Sequence, residues 1–544
     1  MNATVFLSLM KRRHFLKRSL AGASLATFGA SLPGNLFAEA EPARNLALSG
    51  TPASASGRYT RMFSELRGKP VRPSCDIEEG LARLGEAMVD RDPLVEPESQ
   101  PELPTAGYTY FGQFIDHDLT LDLTPLNNAS EKIEQTQNFR TAFLDLDHLY
   151  GGGPNMSPFL YETGNHNAER FLIGKTIETP GLKASDDDLP RNFQGIALTG
   201  DPRQDENLIL AQLHVAFLKL HNLVIDQPDE LNASPHYRRN GDSDFAAAHR
   251  VVRWHYQWVV RHDYLETILD PLVAESLRQL EEEKRLNRTI DFRIPIEFSV
   301  GAFRFGHSMV RDVYKTGVND VHDKEVKLTT LFERTGSKGG AAPALPAEWV
   351  ISWERFFAIP PRTACVNRAR KIDTQIANAL HHLDEQTIKD VDLAKPGEHI
   401  EPKLALRTLL RGFRVGLPSG EDVALEIARR MPGIKVLTED EIVSGPHKDV
   451  LTSPKYGFRN NTPLWYYILK EAEVAPREGK HLGPIGSYIV ADAILGALAA
   501  DADSYLSAPA WEPTLDSGGR NSMRKMLDFV ISAYFGASRR RSST

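Results

Sequence analysis

The stretch Tyr110-Phe111-Gly112-Gln113-Phe114-Ile115-Asp116-His117-Asp118-Leu119 decides how the rest of the chain is read. In a helix, Gln113 and His117 are four residues apart and share a face, with Asp116 close beside them. Asp118 lies roughly 100° further round than His117, so it cannot address the same point. The segment therefore serves two sites: a pocket lined by Gln113, Asp116 and His117, and an oxygen-ligand site behind it at Asp118. Taken alone, one histidine between two aspartates is more often a solvated or structural cluster. The partners must come from elsewhere in the chain.

At 544 residues the chain can bury a large core, and length alone allows about two to four domains. Its hydrophobic content of 41% and charged content of 25% are ordinary for a soluble globular protein. The net charge of −8 provides no global basic field for nucleic acid. Arg539-Arg540-Arg541 reads as a short solvated terminus. With only Cys75 and Cys365 present, a disulfide scaffold is excluded and their pairing is left open. Near the start, Lys11-Arg12-Arg13-His14-Phe15-Leu16-Lys17 resembles a twin-arginine export signal. The apolar run Leu20 to Leu32 and the small-residue site Ala38-Glu39-Ala40 follow in the required order. Residues 1–40 are therefore expected to be a signal peptide, and the protein to be exported, periplasmic or secreted. The blander alternative is a basic tail followed by a small-residue helix. No later run reads as long and apolar enough to span a bilayer, so no stable membrane insertion is expected.

Residues 41–73 lack clear periodicity and read as an extended N-terminal arm. Helical spacing begins with Ile77, Leu81, Leu84 and Met88, and a Pro- and Glu-rich connector, Pro93 to Pro104, leads into the opening helix. Residues 128–140 read as a polar loop, and Gly151-Gly152-Gly153-Pro154 is a strong stop. Asp201 suits an N-cap, Pro202 the first helical position, and Gln204 completes a capping-box spacing. A long amphipathic helix through Ile209, Leu213, Phe217, Leu220 and Val224 is predicted to start there. Further helices are predicted over Asp244 to Ile268 and near 404–414, 420–431, 462–473, 486–501 and 521–534. Strand signals are few, Lys435-Val436-Leu437 being one, and Gly336 to Pro346 reads as a flexible insert. No repeat of fixed period appears. The fold expected is mainly α: one large helical domain over 74–544 with few short strands.

Four clusters could carry chemistry. The first is Gln113, Asp116, His117 and Asp118. In the second, Thr141, Phe143, Asp145 and Asp147 alternate, placing oxygen donors on one side of a loop. Three carboxylates, a hydroxyl and main-chain carbonyls suit a hard cation such as calcium, although an acidic turn would read the same without Asp118. The third pairs Arg203 with Glu206, three apart in a helical first turn, where an arginine can hold an anion or peroxide and a glutamate often only complements the helix dipole. The fourth is Ala302-Phe303-Arg304-Phe305-Gly306-His307. Its histidine follows a glycine that would let a flat macrocycle approach, as an axial haem ligand requires, although a lone histidine is more often core filler.

In order and rough spacing, Gln113-x-x-Asp116-His117-Asp118, Thr141-x-Phe143-x-Asp145-x-Asp147, Gly200-Asp201-x-Arg203-x-x-Glu206-Asn207 and Arg304-x-Gly306-His307 resemble the animal-type haem peroxidases. This family is also called the peroxidase–cyclooxygenase superfamily, and the bacterial members are the most similar. Leu404 to Gly412, Gly416 to Gly420 and Leu482 to Gly486 extend the resemblance, which runs from about residue 75 to the C-terminus. It implies haem b and calcium as cofactors. His117 would be the distal base, with Gln113 beside it, Arg203 the distal arginine, His307 the proximal iron ligand, and Arg304 near the haem edge. Asp118, Thr141, Phe143 (through its carbonyl), Asp145 and Asp147 would hold calcium. Asp116 and Glu206 match the carboxylates that in some members form ester bonds to haem. Asn207 stands where the myeloperoxidase-like branch has methionine, so no sulfonium link is expected. One departure concerns Thr408, which occupies a position where bacterial relatives carry an asparagine that accepts a hydrogen bond from the proximal histidine. The shorter side chain of Thr408 must reach further.

The activity implied is that of a secreted or periplasmic peroxidase active in the response to oxidative stress. It would use hydrogen peroxide to oxidise small organic donors or halides through an oxoferryl intermediate. A fatty-acid dioxygenase of the same superfamily is the nearest alternative, and would need a redox-active tyrosine and a long apolar channel. A haem- and calcium-binding scaffold or adhesion protein with little turnover is the other, and it needs neither His117 nor Arg203.

Overall fold

Helices form where apolar residues recur at the helical period, and their buried stripes meet in one core. In the computed structural model the residues described are 57–66, 70–74, 76–90, 100–129, 132–164, 169–282, 292–317, 325–336, 340–359, 366–383, 403–515 and 522–530. The expected signal peptide, Cys75 and Cys365 lie outside them. The principal helices are α1 (Ile77–Ala87), α2 (Gly107–Leu119), α3 (Leu208–Asp226), α4 (Asp244–Val259) and α5 (Pro271–Glu282). They are followed by α6 (Leu404–Arg414), α7 (Gly420–Arg430), α8 (Leu464–Glu473) and α9 (Pro484–Ala500). A π-helical turn, Val260–Tyr264, carries α4 on into Leu265–Ile268, as the long apolar pattern predicted. Two strands, β1 (Val313–Lys315) and β2 (Glu325–Lys327), pair antiparallel with Tyr314 opposite Val326.

Three local expectations change. Lys435-Val436-Leu437 is not a strand: Leu437 N–H donates to the Tyr467 hydroxyl at 3.1 Å, and a Thr438/Glu441 capping box starts a short helix at once. Residues 340–346 of the supposed flexible insert are tied down, since Ala342 N–H donates to Gly195 O at 3.0 Å and Leu345 N–H to Asp188 at 2.7 Å. The helix predicted to start at Asp201 is instead a 3-10 turn, Pro202–Asp205, after which Asn207 caps α3 by accepting from Leu210 N–H at 2.9 Å. The Asp201 carboxylate is taken up by two arginines, so it caps only this short turn, through Arg203 N–H at 2.8 Å. A fourth point concerns membranes. By length and composition α3 is apolar enough to cross a bilayer, contrary to the expectation that no such run exists, and 89% of that window is buried inside the protein.

α2 sits at the centre of the core and packs against α3, the 202–205 turn and the 3-10 turn Ala302–His307. Phe114 stacks on Phe217 of α3 at 4.6 Å and meets the His148 ring edge-on at 4.4 Å. The Tyr264 ring comes so close to the α2 backbone that a Cβ on Gly112 would lie 2.4 Å from its hydroxyl oxygen. Residues 57–66 run alongside the 294–297 segment: Ile296 N–H donates to Thr60 O at 2.8 Å, and Met62 N–H to Glu297 at 2.9 Å. Phe114 is the aromatic contact through which α2 is fixed to α3. Phe114→Ala should lower unfolding free energy by about 3–5 kcal/mol in chemical denaturation, the usual cost of emptying a buried aromatic site. A loss below about 1 kcal/mol, as at a surface position, would show that α2 is held by other contacts.

Candidate active site

α2 and the Ala302–His307 turn face each other across a cavity of ≈ 310 Å³, within the range of about 300–1,000 Å³ usual for cofactor pockets. Gln113, Asp116, His117, Arg203, Glu206 and Asn207 line it, as do Phe303 to His307. A Cβ built on Gly306 would meet nothing within 4 Å, so the glycine leaves open space beside His307. Residues nearly two hundred positions apart are thus brought to one space. Arg203 and Glu206 reach it without sharing a helical turn.

His117 is buried, and its Nδ1 lies 3.2 Å from Nε2 of Gln204. Burial, reinforced by the nearby Arg203 charge, pushes its pKa well below the ordinary imidazole value, so the ring is neutral at physiological pH. Gln113 has a fixed amide. The Leu210 N–H needs an acceptor, so Asn207 gives it Oδ1 and turns Nδ2 to Gln113 Oε1 at 3.1 Å. The Gln113 Nε2 donors are left for the cavity.

Arg203 is held on several sides. Its Nε donates to both Asp201 oxygens at 3.1 and 3.2 Å, and Nη2 to Asp201 at 2.7 Å. Nη2 also donates to the carbonyls of Thr120 at 2.7 Å and His117 at 3.3 Å, which belong to the open C-terminal end of α2. Burial works against the guanidinium charge, and Asp201 more than offsets it, leaving the pKa raised. Asp201 also meets Arg140 at 3.3 Å; burial works against its ionisation, and the two arginines hold its carboxyl well below the usual range.

Across the cavity, burial and then the Arg304 charge take the His307 pKa down to about 3, so this ring too is neutral. Thr408 does reach it, with Oγ1 3.4 Å from Nδ1. The Thr408 hydroxyl proton goes to Leu404 O at 2.9 Å, so its oxygen accepts Nδ1–H in a long hydrogen bond. That tautomer leaves His307 Nε2 free as a metal ligand. Trp465 packs edge-on to His307 at 6.0 Å and donates to Arg304 O at 3.1 Å. Arg304 donates to Ser299 O at 2.8 Å and pairs with Asp116 at 3.6 Å, while Asp116 also accepts from the Thr120 hydroxyl at 3.0 Å.

Behind α2, Asp118 and His148 Nδ1 share a hydrogen bond of 3.0 Å, and burial lowers the His148 pKa to about 3. The Tyr256 hydroxyl lies close to the Asp118 carboxyl, whose other oxygen, Oδ2, is buried without a well-formed hydrogen bond. Donor atoms of Asp118, Asp147 and His148 lie within 4.8 Å of one another. Thr141 donates to Asp145 at 2.9 Å, Asp147 accepts from Arg140 at 3.1 Å, and Phe143 N–H meets the Thr141 oxygen at 3.4 Å. Burial pushes the carboxyl of Asp118 up to about 8 and those of Asp145 and Asp147 to about 7. Three crowded carboxyls, one with an oxygen that lacks a well-formed hydrogen bond, are chemically matched to a hard cation.

Sequence reasoning missed Asp201, Arg140, Gln204 and His148 as parts of these sites. Asp201 stood inside a quoted motif and was assigned only a capping role. Nothing in the spacing marks the other three.

A sequence profile described as "Animal haem peroxidase" matches residues 122–393, half of the chain. That span contains Arg203, His307 and the acidic loop, and begins just after α2. The peroxidasin homolog pxn-2 of Caenorhabditis elegans is 24% identical over 377 residues, covering 65% of this chain and 25% of that protein. Myeloperoxidase of Mus musculus is 32% identical over 262 residues, 38% of this chain and 36% of that protein. The chain thus spans about a quarter of the length of the peroxidasin relatives it matches. Among solved structures, peroxidase A of Dictyostelium discoideum is similar with a TM-score of 0.54 and 15% identity, over 82% of this chain and 88% of that one. Oryza sativa fatty acid alpha-dioxygenase is similar with a TM-score of 0.53 and 13% identity, over 84% and 78%. These two are likenesses of fold. With half of its length matched by the family profile, this chain belongs to the animal haem peroxidase family.

Proposed function

We propose that this protein is a haem peroxidase that reduces hydrogen peroxide at the expense of small organic donors or halide. Support comes above all from one cavity lined by a neutral buried histidine, an arginine and an amide donor opposite a second neutral histidine beside an open glycine. Bound there, haem supplies the iron at which the peroxide O–O bond is cleaved. His307 Nε2 is the ligand that would hold the iron, with Thr408 accepting its Nδ1–H. His117 takes the proton of the incoming peroxide at Nε2 and returns it to the departing oxygen. Arg203, fixed by Asp201, stabilises the charge on that oxygen without having to move. Gln113 Nε2 orients the peroxide or a halide. Asp118, Asp145 and Asp147, with Thr141 and the Phe143 carbonyl, would hold calcium behind α2, where the ion would brace the helix that carries His117. Export rests on the leader-like residues 1–40 alone, and fractionation of the expressing cell checks it.

Tyr108, Tyr110 and Tyr264 also line the cavity and favour a fatty-acid dioxygenase as the second reading. Such an enzyme consumes oxygen when given an unsaturated fatty acid without peroxide. The peroxidase does not.

Two outcomes are expected. In stopped-flow mixing of the haem-loaded protein with peroxide, His117→Ala should react about 10²–10⁴-fold more slowly than the parent, the usual worth of a general base. Equal rates would remove His117 from the role. In thermal unfolding, calcium added to chelator-treated protein should raise the midpoint, and magnesium should raise it far less, because magnesium gives up its waters reluctantly and is seldom held by protein oxygens alone. An Asp118→Asn variant should lose most of that shift, and an undiminished shift would place the ion elsewhere.

A further inference from the structure

Gln204 is completely buried in the turn between Arg203 and Asp205. Both neighbours are clamped: Arg203 by Asp201, and Asp205 by Arg191 through bonds of 2.7 and 2.9 Å and by Gly336 N–H at 3.0 Å. The backbone under Gln204 therefore has little freedom, and its side chain points at one partner, His117 Nδ1, at 3.2 Å. The Gln204 Oε1 is buried with no hydrogen-bond partner, so no other contact dictates which end of the amide faces the imidazole.

The two amide orientations have opposite chemical consequences. With Nε2 toward the ring, Gln204 donates to Nδ1 and the ring proton sits on His117 Nε2, making His117 a donor toward the cavity. With Oε1 toward the ring, Nδ1–H donates to the amide and Nε2 carries the lone pair. Only the second arrangement also satisfies the ring after it has taken a proton, because both nitrogens are then donors. We propose that Gln204 is a positioning residue which presents Oε1 to His117 Nδ1–H and thereby fixes the tautomer in which Nε2 is the base. The inference rests on the peroxidase reading of the cavity. A neutral amide suits the task better than a carboxylate. It accepts Nδ1–H in both states of the ring but does not trap the imidazolium, so the proton can be handed back.

The test uses the haem-loaded ferric protein with cyanide as probe, since bound cyanide requires HCN to give up its proton to a base in the cavity. In ¹H NMR of the cyanide complex with ¹⁵N-labelled histidine, His117 should show a slowly exchanging proton on Nδ1. Gln204→Leu should abolish that slow exchange and slow cyanide association by about 10-fold or more, a part of the roughly 10²–10⁴-fold that a positioned base contributes. Gln204→Glu, which keeps an acceptor at the same point, should restore the slow proton and bring the association rate back toward the parent value. An unprotonated Nδ1 in the parent complex, or a Gln204→Leu variant that binds cyanide as fast as the parent, would overturn the proposal. If Gln204→Leu does not fold, the parent spectrum and Gln204→Glu decide. A parent protein that shows the Nδ1 proton and fast cyanide binding but never turns over peroxide would sink the peroxidase reading and leave the role of Gln204 intact.

Discussion

The pairing of Asp201 with Arg203 is the constraint on which the rest of the cavity depends. The Arg203 guanidinium is largely withdrawn from solvent, and the carboxylate of Asp201 offsets the cost of placing its charge there. The same guanidinium donates to two carbonyls at the end of α2, where the helix has no internal donors left to offer. One side chain thus closes the helix that carries His117 and lines the cavity that His117 faces. Losing Asp201 would leave a buried cation without its partner, a change that typically costs about 3–5 kcal/mol.

The two sites on α2 are joined by more than the helix. Arg140 bridges Asp147 in the acidic loop and Asp201 beside the cavity, giving a continuous path Asp147–Arg140–Asp201–Arg203. A cation bound among Asp118, Asp145 and Asp147 would act on the carboxylate that Arg140 also holds, and so on the setting of Arg203. On the other wall, Asp116 and Arg304 tie α2 to the turn that ends at His307. The two faces of the cavity are fixed with respect to one another by charge pairs as well as by apolar packing.

Much of this was legible in the chain because helical spacing and motif order are local properties. Gln113 and His117 on one face of α2, Asp118 on another, and the placing of His307 after an open glycine all follow from periodicity and residue type. What was hidden depends on tertiary neighbours. Asp201 looked like an ordinary N-cap, since nothing local says that Arg140 will arrive from sixty residues earlier to share it. Gln204 looked like the far end of a capping box, but the turn tightens to a 3-10 turn and the amide goes to His117 instead. The strand expected at 435–437 failed for the same reason: a tyrosine from α8 satisfies the backbone that a neighbouring strand would have paired. Thr408 could be suspected from sequence as too short, and only its place on α6 shows that it reaches His307 at the long end of hydrogen-bonding range.

Whether Arg203 acts only as Asp201 sets it is read from a double-mutant cycle on the rate of reaction with peroxide. In the haem-loaded protein, Asp201→Asn alone should slow the reaction nearly as much as Arg203→Ala, on the order of 10²–10³-fold, and the double variant should be no slower than either. Additive losses, or an Asp201→Asn variant that reacts at the parent rate, would contradict the account.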